Sequence, residues 1–383
     1  MRARALHVAW FLVGACSLAA ARPQSPPAIK EASSTNAWKR VTDELPLAWP
    51  RDHGSHPEYE TEWWYATGDL SDDAGRRFGY QITLFRRGLD ASAPSPGESR
   101  LRPRQVLAGN FAIVDVTDAY VAKAERVRRA STGLAGADER DLHAWVEDWR
   151  IDRTEDGALV LHATDVAQSL ALDLVLEPAK PLVLHGRGGV SQKSDAPGNA
   201  SVYTSWTRLA TRGTIQIGRR DRPARPSFAV HGESWFDHEF GSSQLGAGVA
   251  GWDWFGLRLD DGRELMIYRL RTTSGAIEPA SAGTLVERDG STRHLGASEF
   301  ALEPRTTWKS TFSGAGYPVA WKLAVPSAGI DCTLEPRISA CEFDARASVG
   351  VIYWEGPVGV KGSIAGSGYL ELTGYAAPLA GRF

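Results

Sequence analysis

The chain has 383 residues, enough for two or three domains with sizeable cores. Its 43 Lys and Arg against 46 Asp and Glu leave a formal net charge of −3, which excludes the basic footprint of a nucleic-acid binder. The 43% hydrophobic residues, 39 Gly and 14 Trp describe a globular protein with many tight turns and heavy aromatic packing.

Residues 1–21 read as a targeting segment. Arg2 and Arg4 precede a short apolar stretch, Ala9 to Ala15, which is too short to span a bilayer comfortably. Two processing sites compete. Val13-Gly14-Ala15-Cys16 has the form of a lipobox, which would leave Cys16 as a lipid-modified N-terminus, while Ala19-Ala20-Ala21 suits ordinary signal cleavage. Both place the protein outside the cytoplasm, in the periplasm or lipid-anchored to the envelope. Residues 22–44, opening with Pro, Ser and Ala, read as a linker, and no later segment resembles a membrane helix.

From there period-2 patterns dominate, the mark of strands with two distinct faces. Such runs are Arg77 to Phe85, Asn110 to Val116, Leu159 to Ala163, Leu170 to Leu176, Tyr203 to Leu209, Thr214 to Ile217 and Phe228 to His231. Asp90 to Arg100 and Lys123 to Arg140 read as surface loops. Asp260-Asp261-Gly262 joins Trp252–Leu259 to Arg263–Leu270, and Asp289-Gly290 joins Gly283–Val286 to Thr292–Leu295, two strong hairpin signals. Ala320 to Val325, Val351 to Trp354, Val358 to Ile364 and Tyr369 to Tyr375 complete the strands. Short strands with Gly-rich turns imply sandwiches or barrels. The chain is too long for one small barrel, so it divides near Gly241 to Gly251 into residues 45–243 and 244–383. Cys332 and Cys341, nine residues apart, suit a bridged hairpin in an oxidising compartment; the alternative is two unpaired buried thiols.

Chemistry concentrates in three places. In Glu62-Trp63-Trp64-Tyr65 a strand puts Glu62 and Trp64 on one face, Trp63 and Tyr65 on the other. An inward Glu62 would lie beside aromatic rings, where desolvation raises a carboxyl pKa and favours a proton donor; the bland reading is a solvated strand residue. In Trp235 to Phe240, Trp235, Asp237 and Glu239 face one way and Phe236, His238 and Phe240 the other. The acidic pair would be costly if buried alone, so an Arg partner or exposure is expected. In Trp252-Asp253-Trp254-Phe255, Asp253 shares a face with Phe255, Leu257 and Leu259, with Arg258, Arg269 and Arg271 as pairing candidates. Tyr353-Trp354-Glu355 and Tyr369 to Tyr375 read as structural, closing a barrel, with Glu371 a candidate Arg partner. Gly246 to Gly251 fits GxGxxG but precedes a strand, so no dinucleotide site is expected. Asp52, His53, His56, Asp237 and His238 lack the tight spacing of a metal set, and neither a metal nor another cofactor is expected.

These strings resemble the AttH/CrtC family of carotenoid 1,2-hydratase-like proteins. The matching pieces are Asp52 to Pro57 with Thr61 to Tyr65, Gly79 to Arg86, Trp235 to Glu239, Gly251 to Phe255, Tyr353 to Gly356 and Gly368 to Tyr375. The resemblance implies an all-β chain of two tandem lipocalin-like antiparallel barrels with a lipophilic ligand, such as a lipid, isoprenoid or polyene, near their junction. It also implies acid–base hydration of an isolated double bond, with hydrolysis less expected. The candidate catalytic residues are Asp237, His238, Asp253 and Glu62. The candidate ligand-binding residues are Trp63, Trp64, Tyr65, Trp235, Trp252, Trp254 and Tyr268. Two other readings stand beside the enzyme: a lipid carrier, whose charges should sit at the cavity rim, and an envelope scaffold without a cavity.

Overall fold

A computed structural model describes residues 37–93, 95–99, 101–219, 226–242, 245–246 and 248–379. The targeting segment, Cys16 and residues 22–36 of the linker lie outside the described residues. Strands β1 (Thr61–Ser71), β2 (Arg77–Gly88), β3 (Gln105–Asp115), β4 (Tyr120–Arg129), β5 (Ala135–Ala137), β6 (His143–Val146) and β7 (Trp149–Arg153) are followed by β8 (Leu159–Asp165), β9 (Leu170–Pro178), β10 (Val183–Leu184), β11 (Val190–Gln192), β12 (Ala200–Ile217) and β13 (Ser227–Gly241). These form one antiparallel sheet in the order β4-β3-β2-β1-β13-β12-β9-β8-β7-β6-β5, with β10 and β11 also on β12. Its last strands curl back towards β3, wrapping a core that includes Trp64, Phe78, Phe111, Trp149 and Phe236.

The remaining strands are β14 (Val249–Leu259), β15 (Glu264–Thr272), β16 (Ala282–Val286), β17 (Thr292–Gly296), β18 (Ala301–Lys309), β19 (Gly316–Val325), β20 (Ile330–Pro336), β21 (Glu342–Ala345), β22 (Val351–Gly362) and β23 (Gly366–Leu372). They make a second antiparallel sheet, β17-β16-β15-β14-β23-β22-β20-β19-β18, with β21 on β22. It curves around Phe255, Trp321, Leu323, Trp354 and Leu370. The described residues contain no α-helix, only three single 3-10 turns.

Side-chain alternation explains why two barrels meet as they do. On β1, Trp64, Ala66 and Leu70 fill the first core while Trp63 and Tyr65 point away from it. On β14, Phe255 and Leu257 fill the second core and Trp254 points away. The outward faces of β1, β13 and β12 therefore meet those of β14, β15 and β23. Tyr65, Tyr203, Trp235, Trp254, Tyr268 and Tyr369 form a third apolar cluster there. These strands are buried on both faces along much of their length, so the charges they carry, among them Glu62, Asp237, Glu239 and Asp253, are buried with them.

Both hairpin turns take the expected form, with Gly262 and Gly290 at φ of 85°, a left-handed conformation costly for other residues. Three expectations need correction. Tyr120–Arg129 is an edge strand rather than loop: Ala122 and Ala124 turn inward while Lys123 and Glu125 alternate with them on the outer face. Small inward residues keep the pattern faint. Tyr203–Leu209 and Thr214–Ile217 belong to one strand, β12, which bulges between Trp206 and Leu209. Cys332 and Cys341 are free and buried. Their thiols turn to different backbone carbonyls, Ile364 and Ile338, because Cys332 sits on β20 and Cys341 precedes β21.

Candidate functional site

Between the barrels lies a cavity of about 1000 Å³, part of it open to solvent. From the first barrel β1 gives Trp63 and Tyr65, and β13 gives Asp237 and Glu239; from the second, β14 gives Trp252 and Trp254. Tyr203, Tyr268 and Tyr353 add phenol rings, and Leu245, Leu270, Val349, Val351 and Leu379 an apolar side. Four carboxyl groups, Asp237, Glu239, Glu355 and Glu371, face this aromatic space with one cation, Lys193.

Asp237 is 3% exposed and has no cationic partner among the described residues. Three donors converge on it instead: Ser205 Oγ at 2.5 Å and Trp235 Nε1 at 2.6 Å to Oδ1, and Tyr203 Oη at 2.8 Å to Oδ2. Trp235 reaches it because residues two apart on a strand share a face. Trp254 Nε1 donates in turn to Tyr203 Oη at 3.0 Å, carrying the network across to the second barrel. Burial outweighs these donors and pushes the Asp237 pKa up to about 7. The expected Arg partner is absent among the described residues, and the group adapts by holding its proton more tightly. Glu239 is also buried, and its partner is a lysine rather than the expected Arg: Lys193 Nζ lies 3.2 Å away and Ser201 donates to it.

Behind Asp237 is a second layer. His185 Nε2 lies 2.7 Å from Ser205 Oγ, and its Nδ1 lies 2.9 Å from Thr284 Oγ1 of the second barrel. Burial lowers the His185 pKa to about 3, helped by Lys193, so the ring is neutral. Ser205, donating to Asp237, must accept from His185 Nε2–H. A hydrolytic triad needs the imidazole between serine and carboxylate. Here the serine is in the middle, which does not activate it as a nucleophile.

Glu355 and Glu371 are cross-strand partners on β22 and β23. Tyr65 Oη donates to Glu355 Oε1 at 2.5 Å. Burial, then the charge of Glu371, raises the Glu355 pKa well above the ordinary range, and burial raises Glu371 to about 7. Like charges directly opposed in a buried site disfavour double ionisation. These two groups lie opposite the expectation for their segment: neither closes the barrel through an Arg. Trp354, Gly356, Leu370 and Leu372 carry the core face, and the alternation of Tyr353-Trp354-Glu355 and Leu370-Glu371-Leu372 was the signal that both acids turn the other way.

The other expected site residues lie elsewhere. Glu62, His238 and Trp64 are on the first barrel's inner side, across the sheet from Asp237. Trp64 stacks on His238 with ring centroids 5.2 Å apart. Glu62 Oε1 accepts from His56 Nδ1 and His238 Nε2, each at 2.9 Å, while Ser55 Oγ at 3.0 Å and Arg86 Nε at 2.8 Å donate to Oε2. Burial opposes the ionised form of Glu62, yet Arg86 and the two histidines outweigh it and hold the pKa well below the usual range. The expected raised pKa is thus reversed, because a fixed guanidinium is buried beside the carboxyl. His56 Nδ1/Nε2, Glu62 and His238 place donor atoms within 4.8 Å of one another, the one metal-like grouping among the described residues. All three are already bound to each other, and His56 Nε2 is held by Asp52 at 3.1 Å. The network ties the loop before β1 to β1, β2 and β13.

Asp253 lies inside the second barrel. Arg269 donates to Oδ2 at 2.7 and 3.0 Å, Arg271 to Oδ1 at 3.2 Å and Tyr375 Oη to Oδ1 at 2.8 Å. Arg258 pairs elsewhere, 3.7 Å from Glu233. Of the expected ligand-binding residues, Trp63, Tyr65, Trp252, Trp254 and Tyr268 line the cavity; Trp235 is fully buried behind Asp237 and Trp64 is in the first core.

The comparisons with known proteins agree with this architecture. A family model described as AttH-like matches residues 40–375. A crystal structure of an AttH from Nitrosomonas europaea is 31% identical, with a TM-score of 0.78, over 88% of this chain and 99% of that one. Kievitone hydratase from Nectria haematococca is 14% identical and superposes with a TM-score of 0.64, over 89% of this chain and 97% of the other. No curated protein matches. The two sheets are tandem lipocalin-like barrels, the first nearly closed and the second a half-barrel. With its family strings, its paired barrels and a 31%-identical AttH structure sharing nearly its whole described length, the chain belongs to the AttH-like family.

Proposed function

We propose that the protein is an exported acid–base hydratase whose lipophilic substrate binds in the cavity between the barrels. The observation that carries this is Asp237: a carboxyl with a pKa of about 7, buried without a cation inside an aromatic pocket. Protonated, it can give its proton to one carbon of a double bond, forming a C–H bond. The cation left on the other carbon is stabilised by the faces of Trp63, Trp252 and Trp254. Water then forms the C–O bond and returns a proton to the Asp237 carboxylate. Ser205, Trp235 and Tyr203 stabilise that carboxylate in the interval. One carboxyl thus serves as acid and then as base, and the sum is addition of one water.

The fold shared with a hydratase supports this reading, as does the inward position of the acids. A carrier would keep its charges at the rim. Export rests on the basic start, apolar stretch and cleavage signals of residues 1–21, and the mass of the mature N-terminus from its own cells tests it.

The test of function supplies lipophilic alkenes to the purified protein in ¹⁸O-labelled water and follows products that gain one labelled water. The expected rate is flat at low pH and falls above about pH 7 as Asp237 loses its proton. Asp237→Asn should slow turnover by about 10²–10⁴-fold. Undiminished turnover by that variant would sink the assignment.

A further inference from the structure

The cavity holds more acid than the proposed turnover uses. Asp237 alone provides the proton, and Glu239 is neutralised by Lys193. Glu355 and Glu371 remain; among the described residues neither is bonded to a cation, Tyr65 donates to Glu355 and the Trp252 indole to Glu371. Lys193 shows how this cavity treats a positive charge. Its ammonium sits 4.0 Å from the centroid of Tyr268 and 5.3 Å from that of Tyr203, with Glu239 at 3.2 Å. An aromatic face together with a carboxylate is the usual way proteins hold an ammonium group away from water. Around the two glutamates the same parts recur without the lysine: the rings of Trp252, Trp254, Tyr65 and Tyr353 beside a carboxyl pair.

We propose that the substrate of this cavity is a lipophilic amine whose cationic nitrogen docks against Glu355 and Glu371, leaving its apolar body among Leu245, Leu270, Val349, Val351 and Leu379. This rests on the cavity being the binding site of the proposed function. One ammonium compensates one carboxylate, so the pair ionises as the amine enters and Asp237 keeps its proton for the reaction. The groups facing the pair are the phenols of Tyr65, Tyr353 and Tyr369 and the Cys341 thiol, with Asp237 and Glu239 on β13 across the cavity; Lys193, after β11, lines the same cavity bound to Glu239. Burial of Glu371, which raises its pKa to about 7, makes amine binding pH-dependent. An alkylamine stays charged throughout the neutral range, so its affinity rises as pH rises through that value.

Dodecylamine, dodecanol and dodecanoic acid are the probes, used below their aggregation concentrations with the full mature protein and read by tryptophan fluorescence and calorimetry. Dodecylamine should bind about ten-fold or more tighter than dodecanol, and dodecanoic acid most weakly. The Glu355→Gln/Glu371→Gln double variant should bind amine and alcohol alike. Equal or tighter binding of the alcohol to the wild-type protein overturns the amine assignment while leaving the lipophilic site intact. Binding of none of the three overturns the site itself along with it. If the double variant does not fold, the wild-type protein decides: amine affinity should increase from about pH 6 to about pH 8 with that of the alcohol unchanged, and a flat amine profile refutes the proposal.

Discussion

Replacing Arg86 by Leu should expose how much of the first barrel depends on one buried charge. The Arg86 side chain and its partner Glu62 are both fully buried. Its Nε donates to Glu62 Oε2 at 2.8 Å, and its Nη2 donates to the carbonyls of His56 and Tyr59 at 2.8 Å each. The substitution takes the guanidinium from the Glu62 carboxylate, which keeps Ser55, His56 and His238, and removes the Arg86 donor from two carbonyls. Breaking one side of a buried ion pair costs about 3–5 kcal/mol, and we expect that loss in denaturant unfolding followed by tryptophan fluorescence at neutral pH. The folded pKa of Glu62 lies below its unfolded value, so the native state binds fewer protons. Its stabilising contribution is therefore complete above the ordinary carboxylate pKa of about 4.3 and is lost as pH falls below it. The gap between wild type and variant should accordingly narrow under acid conditions. Adding Glu62→Leu to Arg86→Leu removes the stranded carboxylate and should recover part of the loss. Stability within about 1 kcal/mol of wild type for the single variant, or a double variant whose losses simply add, would refute this account.

Asp253→Asn should destabilise the second barrel by about 3–5 kcal/mol, because Arg269 and Arg271 lose a buried carboxylate. Dodecanol binding in the cavity should be unaffected, and a stable variant with lost binding would contradict the placement of Asp253. His185→Phe removes the donor that polarises Ser205 towards Asp237. The carboxyl stretch of Asp237 in infrared difference spectra should then titrate at higher pH, and an unchanged midpoint would show that His185 only fills space. Cys332 and Cys341 should react with a thiol reagent only after denaturation and without prior reduction; a requirement for reductant would reveal a bridge.

The sequence by itself determined many of the strands, though not β4–β7 or β18, together with the two hairpin turns and the family, because period-2 alternation and Asp-Gly turns are local properties of the chain. It also determined which neighbours share a face: Asp237 opposite to His238, and Trp252 and Trp254 opposite to Asp253. Alternation fixes those relations before any partner is known. What lies in front of a face is not local. Only the packing of β1 and β13 against β14, β22 and β23 decided that Asp237 looks into a cavity, while Asp253 looks at Arg269 and Arg271 and Glu62 at Arg86. The same long-range packing reversed the sign of the Glu62 shift, since burial alone raises a carboxyl pKa and a guanidinium 24 residues away lowers it. Glu355 and Glu371 sat in strings whose pattern spoke for a barrel wall, and their pairing 16 residues apart, across one ladder, appears only when β22 and β23 lie side by side. The stretches dense in tryptophan and acid marked where chemistry is concentrated, and the fold divided those side chains between two cores and the cavity they enclose.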